Sequence, residues 1–192
     1  MNKTIPKALV SQTDKFVGRH TRYPDLTGKR QAEGGKRLQG EIPEGREGTP
    51  LVTIITVCWN SAKTIEQAFQ SVRNQTYSNI EYVVVDGGSS DGTVDLLKAH
   101  EDLIDYYVSE PDKGLYFAMN KGLELARGDY ILFLNSDDWY ELETVEKLVQ
   151  AHQDSGSDFV SALANYVDGN GHFIRVQAPS PFDAGVDFRM PL

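Results

Sequence analysis

The sequence predicts an α/β fold, a largely parallel sheet with helices packed on both of its faces. Three observations carry that prediction. Apolar runs rich in β-branched residues alternate with segments of helical spacing, strand then helix, four times after residue 50. Those runs, such as LVTIITVCW (51–59) and IEYVVVD (80–86), are nearly continuous, as expected of strands covered on both sides. Polar residues gather directly after them, and ligands of open parallel sheets bind outside the carboxyl ends of the strands.

The elements follow in order. After the first strand, SAKTIEQAFQSVRNQ sets Ile65, Ala68, Phe69 and Val72 at helical spacing. The second strand ends at Asp86 and runs into the turn GGSSDGT and a short helix, TVDLLKAH. IDYYVSE alternates like a third strand. GLYFAMNKGLELA is helical, with Leu115, Ala118, Met119 and Leu125 as its expected inner face. GDYILFLN is the fourth strand and ETVEKLVQAHQ the fourth helix. DFVSALANYVD and HFIRV, separated by GNG, read as a hairpin, and residues 177–192 as loop. One domain over 51–192 is the expectation.

Charge divides the chain. Residues 1–50 hold 10 Lys and Arg against 6 Asp and Glu; residues 51–192 hold 9 against 22. The acidic body argues against a nucleic-acid partner. The basic, Gly-rich start reads as a flexible extension over residues 1–50, and it also suits peripheral contact with an anionic membrane surface. No apolar run approaches the roughly 18–20 residues that span a bilayer. The N-terminus lacks an apolar signal-peptide core, and the single cysteine, Cys58, excludes an internal disulfide. The expected location is cytoplasmic, with the inner face of the membrane as a refinement.

At the strand ends stand Asn60, Asp86, the trio Glu110, Asp112 and Lys113, and then Asn135, Asp137 and Asp138. Ser61, Ser89 and Asp91 are explained as helix caps and turn residues. The pair Asp137–Asp138 is not, because one cap needs one acceptor. Adjacent carboxylates repel, and Mg²⁺ or Mn²⁺ would neutralise them while bridging to a diphosphate. The competing explanation is a capped turn. Asp86 could accept from a base N–H or a ribose hydroxyl, with Gly87–Gly88 allowing close approach.

These residues carry a resemblance. TIITVCWNSAKTIEQAFQSVRNQTYSNIEYVVVDGGSSDGT, then SEPDKGLYFAMNKGLELARGDYILFLNSDDW, resembles the nucleotide-diphospho-sugar transferase domain of family 2 glycosyltransferases. It is most similar to the branch that makes bacterial surface polysaccharides, and the match runs from Leu51 to Val149. The resemblance implies a GT-A fold and an inverting transfer of a sugar from a nucleoside diphosphate sugar to a saccharide or lipid-linked acceptor. It implies that Asp86 holds the nucleobase and that Asp112 and Asn120 line the donor pocket. Thr56, Asn60 and Asp137 would belong to the same nucleotide-sugar site. Asp137 and Asp138 would stand at the DxD-like position and bind Mn²⁺ or Mg²⁺, with Asp138 the more direct ligand. Family members continue into a segment that carries the catalytic base, whereas this sequence stops at Leu192. The acceptor part is therefore expected to be missing or incomplete. Asp183 and Asp187 match no motif, so no base is assigned.

A nucleotide-sugar-binding module without transfer is the alternative. A nucleotidyltransferase would place a Gly-rich basic loop after the first strand, where this chain has CWNSAKT. DGGSSDGT lacks the alternating acids and closing glutamate of a calcium loop. His20, His100, His152 and His172 show no ligand spacing, and Trp59 and Trp139 flank the proposed site.

Overall fold

The computed structural model describes residues 18, 20–26, 28–46, 48–169 and 171–177. The expected loop from residue 178, with Asp183 and Asp187, and the first 17 residues lie outside the described residues. The described residues up to Glu143 form one compact unit, and those from Thr144 form a second.

The first unit is built on a five-stranded sheet in the order β1-β4-β3-β2-β5. The strands are β1 (Ala32–Gly34), β2 (Val52–Cys58), β3 (Ile80–Asp86), β4 (Tyr106–Ser109) and β5 (Tyr130–Phe133). β2 to β5 are mutually parallel and β1 is antiparallel to β4. Every residue of β2 is buried, which is what its continuous apolar run predicts for a strand with both faces covered.

The covers are helices. One face carries Ile55, Val57, Val83, Val85, Tyr106 and Val108, packed with Ala118 and Leu125 of helix α3 (Leu115–Leu125). The alternate residues face the other way. There Tyr82 meets Phe69 of helix α1 (Ile65–Arg73) edge-on, with ring centroids 6.2 Å apart. Helix α2 is Thr93–Ala99. The chain steps from β2 to β3 to β4 in one direction and then returns to β5 beyond β2. With right-handed crossovers, that reversal places α3 on the face opposite α1 and α2. The reversal also opens a crevice at the carboxyl ends of β2 and β5.

Helix α1 buries Ile65, Ala68, Phe69 and Val72, as its spacing predicts. Helix α3 departs from expectation. Its buried stripe is Ala118, Lys121, Gly122 and Leu125, while Leu115 is exposed and Met119 only half-buried. The charge on Lys121 hid its place in the stripe.

The segment read as a flexible extension is in part folded. β1 pairs Ala32 with Ser109 and Gly34 with Tyr107, and Lys36–Gln39 forms a 3₁₀ turn with Arg37 buried. Its cations are paired inside the unit. Arg22 meets Glu33, Arg30 meets Glu33 and Glu110, Lys36 meets Asp105, and Arg37 meets Glu81. Arg30, Lys36 and Arg37 thus join this segment to carboxylates of the acidic body. Arg37 is buried and Arg30 nearly so in these pairs, whereas Arg22 stays largely exposed. No helix among the described residues is long and apolar enough to cross one.

The second unit holds helix α4 (Thr144–Ser155) and the antiparallel pair β6 (Ala164–Val167) and β7 (Phe173–Gln177), with an irregularity at Tyr166/Val167. Arg175 lies over the Tyr166 ring, 4.6 Å from its centroid.

Candidate functional site

The carboxyl ends of four parallel strands converge through hydrogen bonds between their loops. Gly87 N–H donates to Cys58 O at 2.9 Å, Glu110 N–H to Asp86 O at 3.1 Å, and Leu134 N–H to Ile55 O at 3.0 Å. These bonds carry the sheet ladder one step past the strands. Asn60 then locks the first loop to the second. Its N–H donates to Ser89 Oγ at 2.7 Å, and its Oδ1 accepts from Ser90 N–H at 2.9 Å. Asn60 has φ +51°, the only positive φ at a non-glycine among the described residues, a conformation asparagine tolerates better than most. Across the crevice, Ser61 Oγ and Ser136 Oγ are 2.8 Å apart, tying the loop after β2 to the loop after β5. Asp91 takes its expected turn role. It accepts from Ala62 N–H at 3.0 Å and from Thr93 Oγ at 2.6 Å, and those bonds hold its carboxyl below the ordinary range.

Asp86 is fully buried and its carboxylate is already engaged. Oδ2 accepts from Ser109 Oγ at 2.6 Å, Ser89 N–H at 2.9 Å and Gly88 N–H at 3.1 Å. Oδ1 accepts from Ser89 Oγ and, at 3.5 Å, from Cys58 Sγ. A carboxylate offers about four lone-pair sites, so a base N–H would have to displace a donor. These bonds make Asp86 the organiser of the 86–91 turn. Burial, and next the Asp86 carboxylate, push the Cys58 thiol well up.

Asp112 is better placed. Its Oδ1 accepts from Gly114 N–H at 2.7 Å, closing a turn just before α3. Its Oδ2 lies 3.3 Å from the point that a Cβ on Gly87 would occupy, and Trp59 Cδ1 lies 3.5 Å from the same point. A side chain at position 87 would fill the space between them, so glycine keeps it open. Trp59 is 69% exposed on the rim. Asn120 is half-buried in α3, and among the described residues no hydrogen bond ties it to the strand ends. Thr56 is not at the edge at all. Side-chain alternation turns it to the α1 face, where its hydroxyl accepts from Tyr82 OH at 2.9 Å.

Asp137 and Asp138 are both exposed. Asp138 N–H closes a turn onto Asn135 O at 3.1 Å, and Asn135 Nδ2 donates to Asp138 Oδ2 at 3.1 Å. Water therefore relieves the repulsion of the adjacent charges. Among the described residues no three His, Cys, Asp or Glu side chains cluster as a metal cage. Two hard, solvent-facing carboxylates still fit Mg²⁺ or Mn²⁺, ions that keep several waters and take other ligands from substrate phosphates.

A sequence model described as glycosyl transferase family 2 matches residues 53–189. The chain belongs to this family. Among its relatives is the putative teichuronic acid biosynthesis glycosyltransferase TuaG of Bacillus subtilis. That protein is 38% identical over 104 residues, covering 53% of this chain and 41% of TuaG. S. aureus TarS 1–349 in complex with UDP-GlcNAc superposes with a TM-score of 0.52 at 26% identity, covering 56% of this chain and 32% of that one. The mannosyltransferase PcManGT from Pyrobaculum calidifontis, in complex with GDP-Man and Mn²⁺, superposes with a TM-score of 0.51 at 24% identity. The overlap is 78% of this chain and 40% of that one. The fold is that of GT-A glycosyltransferases. The chain spans about half or less of the length of the curated relatives it matches.

In this family 2 glycosyltransferase chain, several residues that build the edge carry no motif of their own. Ser136 could have been suspected from its place beside Asp137. Ser109 gave no signal, because its partner Asp86 is set by the β3–β4 register, which pairs the two. Arg30 and Lys121, both bonded to Glu110, are separated from it by 80 and 11 residues, so no local pattern joins them.

Proposed function

We propose that the carboxyl edge of β2 to β5 binds a nucleoside diphosphate sugar and that the protein passes the sugar, with inversion, to a saccharide or lipid-linked acceptor. Bacterial surface polysaccharide biosynthesis is the setting, as the name of the relative TuaG suggests. The observation that carries the reading is the Ser61–Ser136 closure at the switch point, which ties the loop of Asp137 and Asp138 to the loop of Asn60. Residues 51–143 would form the donor half.

Asp137 and Asp138 would hold Mn²⁺ or Mg²⁺, with Asp138 the more direct ligand. The bound ion would supply a Lewis acid that stabilises charge on the departing diphosphate. The mannosyltransferase complex containing GDP-Man and Mn²⁺ supports this choice of ion. Asp112, with Gly87 beneath it, would receive the donor against the rim at Trp59. Asp86 would shape the turn whose backbone lies next to the nucleoside. The reaction would take place in the cytoplasm, at the inner face of the membrane where the acceptor is lipid-linked.

Thermal denaturation with UDP, GDP, dTDP and CMP, each with and without Mn²⁺, tests the donor site. A ligand that binds only the folded state raises the midpoint. One nucleotide should do so in a metal-dependent way. A cooperative melt unmoved by all four would sink the reading. A rise without turnover on any acceptor would leave a nucleotide-sugar-binding module.

A further inference from the structure

The matched family region begins at residue 53, yet residues before it are bonded to the donor loops. Gln31 N–H donates to Ser109 O at 2.8 Å, and Ser109 Oγ in turn donates to Asp86 Oδ2 at 2.6 Å. The next residue, Glu110, is only 2% exposed. Arg30 reaches its Oε2 with two nitrogens, Nε at 3.1 Å and Nη2 at 2.9 Å, while Lys121 Nζ takes Oε1 at 2.7 Å. Arg30 is itself fixed. Its Nη1 donates to Glu33 Oε2 at 3.1 Å, and Glu33 is held by Tyr106 OH at 2.6 Å and by Arg22. Beyond Glu110 come Pro111, whose atoms would lie 3.0–3.2 Å from a Cβ on Gly88, and then Asp112.

A buried carboxylate needs its full complement of partners. Without Arg30, Glu110 keeps Lys121 alone, and the strain is relieved by moving Glu110 towards water. Pro111 and Asp112 move with it. The Asp86 turn also shifts, because Glu110 N–H bonds to Asp86 O.

We propose that residues 28–39 form a strap, outside the family domain, that positions the donor loops, with Arg30 as the positioning residue that sets Glu110 and hence Asp112. This rests on the donor-site reading above. Strap docking and nucleotide binding are then coupled, and coupling is reciprocal. If docking raises affinity by some factor, the nucleotide stabilises docking by the same factor.

The test uses the full chain with Mn²⁺ and whichever of UDP, GDP, dTDP or CMP raises the wild-type melt. Calorimetric titration of Arg30→Met should show a dissociation constant raised about tenfold, with Arg30→Lys recovering part of the loss. A purely structural Arg30 would lower the ligand-free midpoint and leave the dissociation constant of the folded protein unchanged, which overturns the proposal. Should Arg30→Met fail to fold, hydrogen exchange on the wild type decides. Saturating nucleotide should slow exchange of the strap amides at 28–36 about tenfold, together with 86–91 and 110–114. Slowing in the two loops with an unchanged strap overturns the proposal alone. No binding by the wild type overturns the donor reading and takes this proposal with it.

Discussion

Arg37 and Glu81 meet at 2.6 Å with both side chains fully shut off from solvent. Arg37 also donates from Nη2 to Leu125 O at 2.9 Å and lies over the Tyr106 ring, while Glu81 Oε2 accepts from Thr53 Oγ at 2.5 Å and Arg127 N–H at 2.8 Å. Breaking such a pair from one side leaves a buried charge without compensation. Arg37→Met should therefore cost about 3–5 kcal/mol in urea unfolding. Adding Glu81→Gln should recover part of that loss, because glutamine is neutral and can still accept from Thr53 or Arg127. If the double variant is no more stable than the single one, uncompensated charge is not the cause.

Gly122 sits in the buried stripe of α3, where a Cβ would come within 2.5 Å of Ile55 Cγ2. Helix propensity favours alanine there by about 1 kcal/mol. Packing opposes it, since Ile55 is branched at Cβ, is fully buried in an interior strand and cannot swing away. Overpacking of this kind costs about 1–3 kcal/mol and should win, so Gly122→Ala should lower the melting midpoint. An unchanged or raised midpoint would mean that the helix shifts freely on the sheet.

How much of this was legible beforehand depended on the range of the interactions. The all-buried β2 and the inner face of α1 follow from residues within one element, so periodicity exposes them. The strand-end positions of Asp112, Asp137 and Asp138 follow from alternation of strands and helices. β1 is Ala-Glu-Gly, with no β-propensity to announce it, and Arg30 and Lys36 on either side of it pair with Glu110 and Asp105, which flank β4. The crowding around Asp86 was hidden because Ser109, its hydroxyl partner outside its own turn, is brought alongside only by sheet register. The face that Thr56 takes was hidden for the opposite reason. Its parity along the strand places it under α1, but only a known sheet order says which face that is.

Glu33 makes acid stability testable. Burial alone would raise its carboxyl, but hydrogen bonds from Arg22 and Tyr106 and the nearby guanidinium charges outweigh it and hold the group below its ordinary value of 4.5. A carboxyl depressed in the folded state contributes stability above its unfolded value and loses it as pH falls through the folded one. Asp105 works the other way. Burial, the largest cause, raises it above 3.8, so its protonation on acidification favours the folded state. Glu33→Gln should lose about 1–3 kcal/mol near neutral pH. Its decline in midpoint below about pH 4.5 should be shallower than the wild type's. Parallel acid limbs for the two proteins would show that Glu33 is not the responsible group.

Asp137 and Asp138 should behave unlike every buried carboxylate in the protein. Both are exposed, and the bond from Asn135 Nδ2 to Asp138 is itself in solvent. Substitution at such positions usually changes stability by less than about 0.5 kcal/mol. Removing either charge also relieves repulsion from its neighbour. Asp137→Ala and Asp138→Ala should therefore melt within about a degree or two of the wild type without ligand, since 1 kcal/mol moves a domain of this size by about 2–4 °C. Their cost should appear only with nucleotide. Asp138→Ala should lose the Mn²⁺-dependent rise in midpoint, and Asp137→Ala most of it, while EDTA should bring the wild type down to the same value. A strongly destabilised Asp138→Ala would mark the pair as structural turn residues. A stable variant that keeps the full metal-dependent rise would place the ion on other side chains.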